Sequence, residues 1–302
     1  MDKIADSMYK IGRKILYKEL QPLFEAMSSI RYAVVKGEVL SQQIYGEPDL
    51  RRPNDIDILI DKKNVKFLEE LLCKFGFEQK LSEDSTGTRH NRVLCMTYSH
   101  QIPSYHKDKF GFHLNVDINY DIFWGEYEGK RCFTDDFLRD TVDMEIYGVN
   151  VKALPIEKAF VQLILHHYKE MNSIYHLSQH NCIRTDMFKD IYNMLQNNLS
   201  RMTIEHIKES CEFYMIGEYI YYLLYYTNEV FKDSKLDRYL FELQSYKNHE
   251  LLETFGLSKQ EKKRWKIPFI SRLDNVNLPK IVKTYLSEND IEKVKNNIEI
   301  FG

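Results

Sequence analysis

The stretch "RRPNDIDILID", residues 51–61, sets Asp55 and Asp57 one residue apart in an otherwise apolar strand. Side chains alternate across a strand, so Asp55 and Asp57 share a face with Leu59 while Ile56, Ile58 and Ile60 take the other. Two carboxylates held side by side repel, and the arrangement persists only where a proton, a cation or solvent compensates the charge. In "FHLNVDIN" the same alternation sets His113, Asn115, Asp117 and Asn119 on one face and Leu114, Val116 and Ile118 on the other. If the two strands are neighbours, three carboxylates converge. Such a set of hard oxygen donors selects Mg²⁺ or Mn²⁺, and cations bridged by carboxylates serve phosphoryl transfer by activating one oxygen and stabilising another.

Upstream, "VVKGEVL" is expected to be a strand, a turn at Gly37 and the start of a helix. The first N–H groups of a helix have no partner within it and lie at the positive end of its dipole, which suits a phosphate. Lys36 adds a cation at that turn, and Arg52 stands three residues before Asp55, placed to reach a phosphate or the carboxylates.

The elements that must position these residues follow from periodicity. An amphipathic helix is expected over 2–29, a strand over "YAVV", a short helix ending at Gly46, the acidic strand, and a helix through "KKNVKFLEELLCKFGF". Strands are expected in "RVLCMTYSH" and "GFHLNVDIN", and a hairpin around Gly148. Pro155 opens a helix, where its missing N–H costs little. From there apolar residues recur at helical spacing, with helices near 155–170, 184–198, 203–232 and 235–256. The fold class is α+β: a mixed sheet with flanking helices over residues 1–153, followed by a helical bundle over 154–302.

Composition bounds the partners. The 302 residues carry a net charge of −3, and 43% are hydrophobic, enough to build real cores without a global pull toward polyanions or anionic membranes. No extended basic surface for nucleic acid is evident. No apolar run is long enough to span a bilayer, and the N-terminal residues lack the pattern of a signal peptide, so a cytoplasmic protein without membrane contact is expected. Five cysteines without CxxC spacing argue against a zinc site and a disulfide framework.

The order strand–"KG"–helix–Arg–"DIDILI"–"VDIN" resembles the nucleotidyltransferase (polymerase-β-like) superfamily. With "IYGVNVKALPIEKAFVQLILHHYKE" added, roughly residues 30–195 resemble an uncharacterised bacterial nucleotidyltransferase family with a helical C-terminal half. The resemblance implies metal binding by Asp55, Asp57 and Asp117 and nucleotide phosphates around Lys36, Gly37 and Arg52. His166 and Asp190 fall where that family often carries a histidine and an aspartate on helices, and they stand as substrate-side candidates. Lys36-Gly37 replaces the Gly-Gly or Gly-Ser turn of the wider superfamily, and Asn119 stands where relatives tend to have histidine.

The expected activity is transfer of an NMP group from an NTP, ATP among them, to a hydroxyl or phosphate acceptor, with Mg²⁺ or Mn²⁺ as cofactor. The acceptor is not named by the sequence: a small molecule, a peptide, a protein or an RNA end all fit. Two other classes compete. A glycosyltransferase would need a complete nucleotide-binding βαβ half before its Asp-x-Asp, and only one short strand and helix precede Asp55. A non-catalytic nucleotide-binding or toxin–antitoxin-like module would use the carboxylates for binding alone. His166 and His167 are adjacent on a helix, so they are expected to face apart rather than share a metal in the i, i+4 manner. The tyrosine-rich "FYMIGEYIYYLLYY" reads as bundle core, and "KQEKKRWK" as a solvated basic turn.

Overall fold

Strand β2 (Ile56–Ile60) lies at the centre of a seven-stranded mixed sheet of order β3-β4-β5-β2-β1-β7-β6. The computed structural model describes residues 3–79, 93, 96, 99–122 and 134–301. The other strands are β1 (Tyr32–Val35), β3 (Glu78–Gln79), β4 (Tyr105–Lys109), β5 (Phe112–Asn119), β6 (Val142–Ile146) and β7 (Val149–Ala153). Pairing is parallel for β2 with β5 and for β1 with β7, and antiparallel for the rest. The sheet is the mixed one that the nucleotidyltransferase resemblance implied, with helices α1 (Lys3–Ala26), α2 (Gly37–Tyr45) and α3 (Val65–Lys74) beside it.

The chain divides into two compact units, residues 1–124 with 132–159, and residues 125–131 with 160–302. In the first unit, Ile56, Ile58 and Ile60 join Leu114, Val116 and Ile118 in one core with Leu16, Leu20 and Leu23 of α1 and Leu68 and Leu72 of α3. All five residues of β2 are buried, so the strand is covered on its acidic face as well.

The second unit is helical, built on Ile156–Asn172 from Phe160 onward and on Thr185–Asn197, Ile204–Phe213, Gly217–Phe231, Ser234–Glu242 and Glu288–Phe301. The tyrosine-rich helix is core, as its spacing indicated: Tyr219, Tyr221, Tyr222 and Tyr226 are buried, with the Tyr219 ring tilted 37° against that of Tyr168 at 4.2 Å between centroids. No helix among the described residues is long and apolar enough to cross a membrane.

Several boundaries differ from the periodicity. The strand expected over 92–100 falls mostly outside the described residues; Val93 and Met96 are helical. The strand that pairs with β5 is instead β4, turned back at Phe110 and Gly111, both with positive φ. The single helix expected over 203–232 breaks at Met215, φ 55°, and the next helix opens at Gly217, where a Cβ would collide with the ring of Tyr246. The helix expected over 235–256 breaks at Asn248, whose side chain caps a new turn by accepting from the N–H groups of Glu250 and Leu251. The basic run contributes a strand, Lys263–Arg264, paired with Thr254–Phe255.

One buried ion pair ties the sheet's helices together. Arg13 of α1, 6% exposed, donates through Nε to Glu38 Oε1 and through Nη2 to Glu38 Oε2 at 2.9 Å; Glu38, in the first turn of α2, is 1% exposed. Nη2 also donates to the carbonyl oxygen of Asp55 at 2.7 Å, and the Tyr17 hydroxyl lies 3.4 Å from Glu38 Oε2. Removing one partner of such a pair leaves a buried charge without compensation, at a cost of about 3–5 kcal/mol. Arg13→Met is therefore expected to lower the unfolding free energy by about that amount in urea titrations, and Arg13→Met/Glu38→Gln to recover at least about half of the loss. Strict additivity of the two single changes would contradict the pairing.

Candidate active site

The acidic residues are brought together by strand register. In the parallel pair β2–β5, Asp57 lies opposite Asp117 and Leu59 opposite Asn119, so both aspartates project on the same face of adjacent strands. Asp57 is 6% and Asp117 9% exposed, and Asp55 sits half-buried one residue before β2 begins. On the other flank, β1 places Val35 opposite Asp57, so the chain leaves β1 into Lys36 directly beside the carboxylates. Lys36 Nζ donates to Asp57 Oδ1 at 2.7 Å, and Asn119 Nδ2 donates to the same oxygen at 3.0 Å.

The turn is strained where it meets the site. Lys36 has φ 57° and ψ −150°, a conformation that only glycine adopts readily, and such a residue costs of order 1–3 kcal/mol. Gly37 follows at φ 45°, with Pro53 Cγ 3.2 Å from where a Cβ would stand, so a side chain there would be strained and crowded. Lys36 is the N-cap of α2 and offers no side-chain hydrogen bond to the helix's first N–H groups. Lys36 thus places its ammonium beside Asp57 at the start of a helix whose first N–H groups it does not cap. Between α2 and β2 the connection is pinned by Ser41, whose Oγ donates to the Glu47 carbonyl and accepts from the N–H groups of Leu50 and Arg51.

Other expected residues lie elsewhere. Arg52 pairs with Asp6 of α1, and its guanidinium is 5.5 Å from the Tyr9 ring centroid. Tyr9 in turn donates to the Pro53 carbonyl at 3.0 Å, so Arg52 ties α1 to the approach of β2. His113, on the polar face of β5, is exposed and bonded to Asp108. His166 lies in the helix Ile156–Asn172 and the buried Asp190 in Thr185–Asn197, both in the second unit.

The adjacent histidines do converge, contrary to the expectation from helical spacing. His166 Nε2 is 3.5 Å and His167 Nδ1 3.0 Å from the same Glu170 oxygen, and the three donor atoms lie within 4.8 Å of one another. Glu170 is reached at i+4 and i+3 at once, which lets neighbours on a helix share a partner. Burial pushes the Glu170 carboxyl up, but the His166 and His167 charges, the His167 hydrogen bond and Lys169 outweigh it and hold the group well below its usual range. Glu170 was missed in the sequence although the spacing H-H-x-x-E carries it. Asn119 and Glu38 were also missed as site residues; Asn119 shares the polar face of β5, whereas Glu38 carries no local signal.

The electrostatics show a carboxylate cluster short of positive charge. Burial first, then Asp57, pushes the Asp55 carboxyl up to about 6 against the pull of Lys36 and Arg13. Burial, Asp57 and Asp55 push Asp117 up to about 7 against a Ser104 hydrogen bond and Lys36. Lys36 is itself held above its ordinary value: burial lowers it, and the charge and hydrogen bond of Asp57 with the charges of Asp55 and Asp117 prevail. Hard oxygen donors, an excess of negative charge over the one Lys36 ammonium and buried walls are what a divalent cation such as Mg²⁺ fits, so the residues present suit that group.

A carboxyl whose value is raised on folding keeps a proton that the unfolded chain has already lost. The folded state then loses stability as pH rises from the ordinary value of 3.8 through about 7. In the metal-free protein, Asp117→Asn should therefore raise Tm by at least about 2 °C at pH 8, the scale of 1 kcal/mol in a chain of this size, and the gain should shrink toward zero as pH falls to about 4.5. Thermal melts in chelator at a series of pH values check this, and a gain independent of pH would contradict it.

No curated protein matches the chain. Among solved structures, an antigenic nucleotidyltransferase-like protein from Paracoccidioides brasiliensis is similar at 20% identity, the alignment covering 60% of this chain and 75% of that one with a TM-score of 0.37. The profile of a family described as "Uncharacterised nucleotidyltransferase" matches residues 7–232, which take in α1, the strained turn, both acidic strands and the histidine-bearing helix. The chain belongs to this uncharacterised nucleotidyltransferase family.

Proposed function

We propose that the protein is a metal-dependent nucleotidyltransferase that moves an NMP group from an NTP to a hydroxyl or phosphate acceptor and releases pyrophosphate. The register that sets Asp57 beside Asp117, one residue from the strained Lys36-Gly37 turn, carries this reading. Asp55, Asp57 and Asp117 would hold Mg²⁺ or Mn²⁺, which supplies charge neutralisation for the triphosphate and for the oxygens that exchange at phosphorus. The α2 N-terminus and Lys36 bind nucleotide phosphates, with the Lys36 ammonium passing from Asp57 to a phosphate oxygen as the nucleotide enters. Arg52 adds a cation for the nucleotide when released from Asp6, and His166 and Asp190 serve the acceptor side.

In the transfer step the acceptor oxygen forms a bond to the α-phosphorus. The bond from that phosphorus to the bridging oxygen breaks, and its electron pair leaves with pyrophosphate. Asp117 takes the proton of an acceptor hydroxyl, a role suited to a carboxyl whose burial moves it toward neutrality. A phosphate acceptor already ionised needs no such transfer.

Three measurements test the reading. In calorimetry with each of the four NTPs and Mg²⁺, one should bind, and Asp57→Asn should weaken it by about tenfold or more, one decade of affinity. Equal binding by both proteins would move the site elsewhere. Lys36→Ala should also weaken binding, by loss of the phosphate cation. Asp117→Asn should keep nucleotide affinity within a few-fold while lowering turnover, followed as pyrophosphate release in cell extract, by roughly 10²-fold or about 2.7 kcal/mol at the transition state. Nucleotide binding by the wild type without any pyrophosphate release would instead favour a binding module.

A further inference from the structure

The second unit carries a buried arginine with no counter-ion among the described residues. Arg272 is 3% exposed, and its Nε and Nη1 have no hydrogen-bond partner among the described residues. Its one side-chain hydrogen bond runs from Nη2 to the Tyr226 hydroxyl at 3.3 Å. The guanidinium lies 4.5 Å from the Trp265 ring centroid, 5.4 Å from Tyr226 and 5.5 Å from Phe269. Aromatic faces offset part of the cost of burying a cation, but they accept no N–H bond in the plane of the fork.

Arg272 lines a cavity of about 470 Å³, of a size that takes a small organic molecule. Tyr225, Tyr226 and Phe269 give it aromatic walls, and the exposed Lys247 stands on its rim. Its two carboxylates are engaged by other cations: Glu229 by Lys232 at 2.8 Å and Glu253 by Arg264. The cavity is thus left with the charges of Arg272 and Lys247. Both lie beyond residue 232, outside the stretch that defines the family.

We infer that this cavity binds a small planar molecule bearing a carboxylate or phosphate, the oxyanion meeting the positive charge of Arg272 and Lys247 while the ring packs on Tyr226 and Phe269. A guanidinium can donate to two oxygens of either group at once. The site stands independently of the proposed nucleotidyl transfer.

The test titrates the full-length protein with benzoate, phenyl phosphate and inorganic phosphate, followed by calorimetry and by the emission of Trp265, whose indole lies against Arg272. One of the two aromatic anions should saturate a single site and perturb that emission, and the tighter of the two assigns the anion as carboxylate or phosphate. Arg272→Lys should weaken it by about tenfold or more, a decade of affinity, since a point charge replaces the fork. Lys247→Glu, on the exposed rim, should weaken it as well and keep Tm near that of the wild type, so it decides the matter if Arg272→Lys does not fold. Lys36→Ala should leave the affinity unchanged, which separates this cavity from the turn at α2. Absence of binding by both aromatic anions up to about 10 mM, or affinity untouched by Lys247→Glu and by any folded Arg272→Lys, overturns the inference.

Discussion

The candidate site in the first unit depends on the ion pair between Arg13 and Glu38. One guanidinium holds the first turn of α2 through both Glu38 oxygens and the entry to β2 through the Asp55 carbonyl. The N-terminal turn of α2 and the acidic strand are therefore referenced to a single rigid group on α1. A hydrophobic contact of equal volume can be as stable as a buried ion pair, but it is not directional. A bidentate guanidinium fixes angle as well as distance, and so sets the first turn of α2 against the start of β2. Arg52 with Asp6, and Tyr9 with Pro53, fasten α1 to the same approach from its outer turn.

Around that anchor the molecule carries unfavourable energy in one place. Three carboxylates share a covered sheet face with one lysine, and the backbone of that lysine lies in a region glycine would occupy without strain. Neither feature helps folding. Their coincidence at the junction of β1, α2 and β2 is what distinguishes this place from the other ion pairs of the surface, many of which are exposed and contribute little. Keeping a lysine at that φ means that its ammonium matters more than the strain it brings.

Most of the sheet was legible because one face of it is apolar. Ile56, Ile58, Ile60, Leu114, Val116 and Ile118 fixed which face Asp57 and Asp117 occupy before any pairing was known. Their proximity was not legible: it depends on β5 lying parallel to β2, which is a long-range choice. Arg13 looks like any surface cation of an amphipathic helix, and only the fold buries it against Glu38. The helix breaks at Met215 and Asn248 were hidden as well, since propensity continues across both; at Asn248 a capping side chain starts the new turn. The hairpin turn at Phe110-Gly111 was short and lacked Asn or Asp, so the strand before it went unread. The convergence of His166 and His167 on one Glu170 oxygen shows that adjacency on a helix does not keep two histidines from a shared partner, because Glu170 stands at i+4 from one and i+3 from the other.

The register of β2 and β5 has a consequence for how the site can fail. Because the side-chain period of a strand is two, sliding β5 by one residue would turn Asp117 into the core beside Ile58 and expose Val116 on the acidic face. A slip of two would restore the faces but break every apolar contact of Leu114, Val116 and Ile118 in their present places. Intermediate positions do not exist for a hydrogen-bonded ladder. The carboxylate geometry is thus quantised: substitutions in the core lower the fraction of molecules that are folded, while each folded molecule keeps its aspartates in the same relation. Selection for solubility and selection for chemistry then act on one hydrophobic layer.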